Sequence, residues 1–286
     1  MTIPQSREVQ IGTGVVGVYD YGDADGAPVF VFHGTPACGA GFAWADEPAR
    51  ERHLRLLAPD RPGVGRSSRR DFTVADYPPM VAALADALGI GQFAVWGYSG
   101  GGPFAVACAA LLPDRVTHAV VSAGMGQVGV WAKADDFEST DRQMLGLAPK
   151  HPAIARLIMG TTGRLARAAP KTAMKSFDKQ LSDADRAVMS TLGPPSDAMA
   201  LFTQAFTHGA RGVVADYVAI AQPWGVDVET IRVPMTIFHG DADSMVPLRH
   251  GEELAARVPG AQLKLWPGDG HLGTVAHVDE VLDALR

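Results

Sequence analysis

The sequence predicts an α/β fold: a doubly wound, mostly parallel eight-stranded sheet, interrupted by an inserted helical lid. Three observations lead there. Short apolar runs recur, each ending in small or polar residues, as parallel strands buried on both faces do. Helix-like stretches separate the later runs, which is the alternation of a doubly wound sheet. Between about Met125 and Trp224 the strand-like runs stop and the sequence turns helical. At 286 residues, 47% hydrophobic and 20% charged, the chain is long and apolar enough to bury a sizeable core.

The elements follow in order. Glu8-Val9-Gln10-Ile11 alternates polar and apolar residues, and after Gly12-Thr13-Gly14 comes Val15 to Tyr21; the pair reads as an antiparallel hairpin. Pro28-Val29-Phe30-Val31-Phe32 is an unbroken apolar run ending at His33-Gly34, and Leu54 to Pro59 ends at Asp60. Tyr77 to Leu88 reads as a helix. Gln92 to Trp96 is strand-like and gives way at Gly97 to the small, apolar helix formers of Pro103 to Leu112. Val116 to Val121 and Val233 to Phe238 are the next strands, then a helix near Gly251 to Arg257 and a last short strand, Leu263 to Trp266. In the interruption, Ile154 to Met159 and Ala198 to Phe206 are helical, and Ser182-Asp183-Ala184-Asp185 carries a capping serine with acids in the first turn. The division expected is a core of residues 1–124 and 225–286 with a lid over 125–224. Most Met and Phe residues of that lid are expected in helical packing, with some lining a substrate pocket.

Composition excludes several classes. A net charge of −6 disfavours nucleic acid or an anionic membrane as partner. Arg66, Arg69 and Arg70 lie close together and read as a solvated loop face. No apolar run approaches the roughly 20 residues of a spanning helix, and the first residues lack the apolar core of a signal peptide. The expectation is a cytoplasmic protein acting on a small molecule, without a membrane or nucleic-acid partner; the assembly state is not legible. Cys38 and Cys108 follow no metal-ligand spacing. Cys108 reads as core and Cys38 as a small packing residue, although its neighbourhood leaves reaction with electrophiles open. Asp60-Arg61-Pro62-Gly63-Val64-Gly65-Arg66-Ser67 contains a G-x-G without the third glycine of a nucleotide loop, so it reads as a tight structural turn. No metal, flavin or nucleotide cofactor is expected.

Chemistry concentrates at Gly97-Tyr98-Ser99-Gly100-Gly101. A G-x-S-x-G arises by chance in so glycine-rich a chain at odds of roughly one in seven. Here it stands where a strand meets a helix, and a serine on so sharp a turn presents its hydroxyl at the carboxyl end of the sheet. Serine is a weak nucleophile unless a base lies within reach and a third group orients that base. Gly240-Asp241-Ala242-Asp243 follows one strand and Gly268-Asp269-Gly270-His271 follows another, supplying carboxylates and an imidazole at the same edge. Asp241 and Asp269 also qualify as turn-capping acids. Gly100, directly after the serine, opens a helix and offers its N–H, with the helix dipole behind it, to a developing oxyanion.

These motifs, in the order Ser…Asp…His, resemble those of the α/β-hydrolase superfamily over nearly the whole length apart from the lid. The resemblance implies Ser99 as nucleophile, His271 as base and Asp243, in a G-x-x-D-x-x-V-P-like turn, as the orienting acid. His33-Gly34-Thr35-Pro36 resembles the superfamily's H-G-x-P loop, which implies the Thr35 N–H as second oxyanion donor, His33 as a brace and a cis Thr35–Pro36 peptide. Threonine is a departure there, since relatives often carry an aromatic residue or glycine. Tyr98, beside the nucleophile, is expected to touch substrate. Serine at 99, where epoxide hydrolases and haloalkane dehalogenases carry aspartate, implies acyl transfer, with a carboxylesterase first. His33-Gly34-Thr35-Pro36-Ala37 departs from the H-G-G-P-G of proline iminopeptidases, which lowers an amide reading. Lactone, thioester and carbon–carbon hydrolysis, perhydrolase or haloperoxidase activity, and a non-catalytic ligand-binding protein are the alternatives.

Overall fold

The computed structural model describes residues 6–137, 139–179 and 181–286. Eight strands form one sheet: β1 (Arg7–Ile11), β2 (Gly14–Gly22), β3 (Ala27–Phe32), β4 (Leu54–Pro59), β5 (Phe93–Tyr98), β6 (Val116–Ser122), β7 (Met235–Gly240) and β8 (Gln262–Trp266). Their spatial order is β1-β2-β4-β3-β5-β6-β7-β8. β2 runs antiparallel to both β1 and β4, and every other pairing is parallel. The order reverses direction after β3, so β3 and β5 lie side by side and their carboxyl ends open onto one crevice, where α/β sheets bind ligands.

The central strands are buried on both faces, which is why they read as continuous apolar runs. Val29 to Phe32 and Val95 to Trp96 are wholly inaccessible to solvent. Helix Gly102–Leu111 is apolar all round because it packs against both β5 and β6. β5 runs two residues beyond the apolar stretch to Tyr98, pairing with Ser122. Three short helices carry no periodicity that a sequence reading detects: Asp46–Glu51, Gly273–Ala276 and Val278–Asp283.

Between β6 and β7 the described residues form no further strand of the sheet. Six α-helices occupy the stretch: Ser139–Leu147, Pro152–Ala168, Pro170–Asp178, Asp183–Thr191, Pro195–Gln204 and Arg211–Ala221. Ser182 caps the fourth in a reciprocal box with Asp185. A small cluster of Ala166, Met174 and Met199 is internal to these helices. Phe137, Met144, Met159, Phe206, Tyr217 and Trp224 instead join the main hydrophobic core with the sheet. No helix among the described residues is long and apolar enough to cross a membrane.

Candidate active site

The turn after β5 is forced by its glycines. Ser99 has φ +55°, a left-handed conformation that costs an L residue about 1–2 kcal/mol. A Cβ on Gly97 would stand 2.5 Å from the Gly101 carbonyl oxygen, and one on Gly101 would collide with the Phe32 carbonyl. The chain can therefore reverse from strand into helix only with glycine on both sides of the serine. Ser99 is nearly buried, and its hydroxyl makes no hydrogen bond among the described residues, His271 included. Its carbonyl accepts from the Met125 N–H at 3.1 Å, which ties the turn to the loop after β6. That loop is in turn held by His250, whose Nδ1 accepts from the Gly126 N–H at 2.9 Å. Burial, helped by Arg249, lowers His250 to about 4, which keeps its ring neutral.

Of the three acids in the turns after β7 and β8, Asp243 is the one that bonds His271. Asp243 Oδ2 accepts from His271 Nδ1 at 2.8 Å, and its Oδ1 accepts from the Met245 and Val246 amides at 2.8 and 2.9 Å. Asp241 accepts from the Gly268 N–H, and Asp269 pairs with His277, so both serve the surrounding turns. Burial pushes the Asp243 carboxyl up, but the His271 charge and hydrogen bonds from His239 and His271 outweigh it and hold it well below the usual range. Burial opposes charge on His271 too; the Asp243 carboxylate overcomes this and, with smaller contributions from Asp185 and Asp141, raises the imidazole above its ordinary value. Tyr98 stands on this side as well. Its hydroxyl donates to the His271 carbonyl at 3.3 Å and its ring lies 5.2 Å from the imidazole, so it braces the histidine loop.

The loop after β3 faces the same turn. A Cβ on Gly34 would stand 3.2 Å from Ser99 Cβ, and one on Gly100 would stand 3.0 Å from the Thr35 nitrogen. Among the described residues neither the Thr35 nor the Gly100 amide has a hydrogen-bond acceptor. Two free donors thus flank the serine, and the Thr35–Pro36 peptide is cis. The Thr35 hydroxyl is committed elsewhere: it accepts from Arg61 Nη2 at 2.8 Å and donates to Asp216 Oδ2 at 3.2 Å.

Arg61 is the residue that the sequence concealed. It is fully buried and stacks 4.7 Å from the centre of the Phe104 ring. Its guanidinium donates to the His33 carbonyl at 2.5 Å and to the Gly34 carbonyl at 3.0 Å, and forks onto Asp216 at 3.0 and 2.7 Å. His33 completes the brace, donating from Nδ1 to the Gly34 carbonyl and accepting the Arg61 N–H at Nε2. Burial and the adjacent Arg61 charge hold His33 far below its ordinary value, which keeps the ring neutral. Asp216 comes from helix Arg211–Ala221. A lone acid among Val213-Val214-Ala215 and Tyr217-Val218-Ala219 was the available signal. Next to it, Tyr217 donates to Asp141 at 2.6 Å, and burial pushes that carboxyl up to about 6. Cys38 is buried, its thiol pushed up by burial, as expected of a packing residue. No group of three or more His, Cys, Asp or Glu side chains among the described residues is placed to hold a metal ion.

Comparison with known proteins bears on this geometry. The sequence pattern of the alpha/beta hydrolase fold family matches residues 27–277. The chain belongs to that family. Among its relatives, 2-hydroxymuconate semialdehyde hydrolase of Pseudomonas putida is 26% identical over 282 residues, covering 96% of this chain and 90% of that protein. Pimeloyl-[acyl-carrier protein] methyl ester esterase of Xanthomonas campestris is 27% identical over 272 residues, covering 91% and 94%. A thermophilic esterase from Thermogutta terrifontis superposes with a TM-score of 0.68 at 20% identity, over 99% of this chain and 97% of that one, a likeness of fold. With its family and hydrolase relatives, this alpha/beta hydrolase is an enzyme of the hydrolase class.

Proposed function

We propose that this hydrolase cleaves carboxylic esters, or the related lactones and thioesters, through an acyl-enzyme on Ser99. His271 takes the Ser99 proton as the hydroxyl attacks the substrate carbonyl, and Asp243 holds the imidazole with Nδ1–H inward so that Nε2 is the base. The oxyanion forms between the free N–H groups of Thr35 and Gly100, donors fixed before charge develops. His271 then returns its proton to the departing alcohol, and water attacks the acyl-enzyme by the same route. The Ser99–His271 hydrogen bond closes when substrate arrives, a common tightening from the empty site. The helices of residues 125–224 act as the lid that selects the acyl and alcohol groups.

The observation that carries this reading is the 2.8 Å Asp243–His271 hydrogen bond on the same sheet edge as a left-handed serine. A fluorophosphonate probe tests it. Ser99 should be labelled, Ser99→Ala should not, and the variant should lose hydrolysis of p-nitrophenyl acetate and butyrate while keeping the native melting profile. Full activity in Ser99→Ala moves the nucleophile elsewhere, and no hydrolysis or labelling by the native protein returns the chain to a ligand-binding role. The kinship with 2-hydroxymuconate semialdehyde hydrolase favours carbon–carbon bond hydrolysis as a second reading, distinguished by assaying such a semialdehyde beside the ester panel.

A further inference from the structure

Asp185 sits in the first turn of helix Asp183–Thr191 and closes a capping box with one of its carboxylate oxygens. Oδ2 accepts from the Ser182 hydroxyl at 2.8 Å and its amide at 3.3 Å, while Ser182 Oγ accepts the Asp185 N–H at 3.1 Å. A capping box asks no more than this of its acid. Oδ1 does something additional: it accepts the Leu272 N–H at 2.7 Å, from a residue 87 positions further along the chain. Asp185 is 0% exposed. On the other side of His271, a Cβ on Gly270 would collide with this carboxylate and with Ser182 Oγ. The acid therefore bonds the backbone immediately after His271 and packs closely against the glycine immediately before it.

We propose that Asp185, supplied by the inserted helices, is a positioning residue for His271: it fixes the imidazole's backbone and adds a carboxylate beside it. The inference rests on the reading of Ser99 and His271 as nucleophile and base. It deepens that reading, because the base is then held from two sides, by Asp243 after β7 and by a helix of the inserted segment. The groups acting on His271 are Asp243, Asp185 and Asp141, each of which favours the charged ring, and Tyr98, which bonds its carbonyl. Removing one of these carboxylates lowers the proton affinity of the base, and removing the Leu272 anchor lets the ring wander.

Two substitutions separate these effects. Asp185→Asn keeps an oxygen for the Leu272 N–H and gives up the charge, whereas Asp185→Ala gives up both. The loss expected for Asp185→Ala is about 10- to 100-fold in kcat, with KM changed less than about twofold, since misplacement of a reacting group by an ångström costs that much. Asp185→Asn should recover most of that kcat while moving the acid limb of its pH profile to lower pH. Native kcat and pH profile in Asp185→Ala would overturn the proposal, even if its melting temperature fell. So would equal kcat losses in the two variants with an unmoved acid limb. If Asp185→Ala is insoluble, the acid limb of Asp185→Asn decides. Ser99→Ala assayed alongside keeps the two claims apart: activity surviving there sinks the nucleophile assignment, whereas an inactive Ser99→Ala beside a native-like Asp185→Ala sinks only the role of Asp185.

Discussion

Removing Asp216 should destabilise the protein far more than removing Asp216 and Arg61 together. Arg61 and Asp216 are 0% and 1% exposed, and the guanidinium has no water to turn to when its counter-ion is cut away. Breaking one side of such a buried pair costs about 3–5 kcal/mol. Against a total stability of about 5–15 kcal/mol that is about a fifth or more. At about 2–4 °C per kcal/mol for a chain of this size, Asp216→Ala should melt on the order of 10 °C lower. Replacing both partners by apolar residues, as R61M with D216L, removes the orphaned charge and should recover part of that loss. Recovery stays incomplete because the His33 carbonyl and the Thr35 hydroxyl lose their Arg61 donor. Activity should not return with stability, because the loop that presents the Thr35 amide is no longer held. Urea unfolding at equilibrium and kcat/KM on a p-nitrophenyl ester measure the two quantities separately. An Asp216→Ala variant destabilised by less than about 1 kcal/mol would refute the buried-cation argument. Native kcat/KM in the double variant would refute the dependence of the oxyanion loop on Arg61.

Other consequences follow from the same geometry. The base must be neutral, and the carboxylates raise His271 above the ordinary 6.5, so the acid limb of kcat/KM should have its midpoint above pH 6.5. Asp243→Asn should lower kcat by about 10⁴-fold through loss of the correct tautomer, with the fold retained by circular dichroism. Gly101→Ala drives a methyl into the Phe32 carbonyl and should cost about 3 kcal/mol or more, seen as an insoluble or early-melting protein. Gly100→Ala pushes instead on Thr35 Oγ1 at 2.9 Å and Thr35 N at 3.0 Å, so it should fold and lose kcat. Excising residues 125–224 and joining the ends by a short linker should give no soluble core, as judged by gel filtration and proteolysis.

The sheet was legible because its physics is local. Val29 to Phe32 and Ala119 to Val121 are apolar throughout since a central parallel strand has no wet face. The serine, histidine and acid were legible for a related reason. Each rides on a glycine-bearing turn directly after a strand, and at the serine the requirement is local, since a Cβ on Gly97 would collide with Gly101. Arg61 and Asp216 were not legible, because their bond joins residues 155 apart and neither has a local reason to be where it is. The turn Asp60 to Ser67 was read as structural, and it is one: Asp60 accepts from the Gly39 and Arg66 amides. What its pattern could not reveal is that its second residue reaches under the His33-to-Thr35 loop. Asp185 was read from sequence as a first-turn acid, which describes one of its oxygens and says nothing of the other. The short helices Gly273–Ala276 and Val278–Asp283 escaped because four to six residues hold too little periodicity to register.

The inserted helices and the sheet edge satisfy one another's polar groups, which changes what the helical segment is. Were it only a cover, its contacts with the edge would be apolar and replaceable. Instead Asp216 neutralises a buried arginine that holds three consecutive residues of the Thr35 loop, and Asp185 takes an amide beside His271. Backbones meet directly as well, since a Cβ on Gly212 would collide with the Gly63 carbonyl. A buried carboxylate is tolerable only while its partners stay in place. Any displacement of helix Arg211–Ala221 therefore has to carry Arg61 and the Thr35 loop with it or strand two buried charges. Helices Asp183–Thr191 and Arg211–Ala221 are thereby tied, through Asp185 and Asp216, to the turns they support.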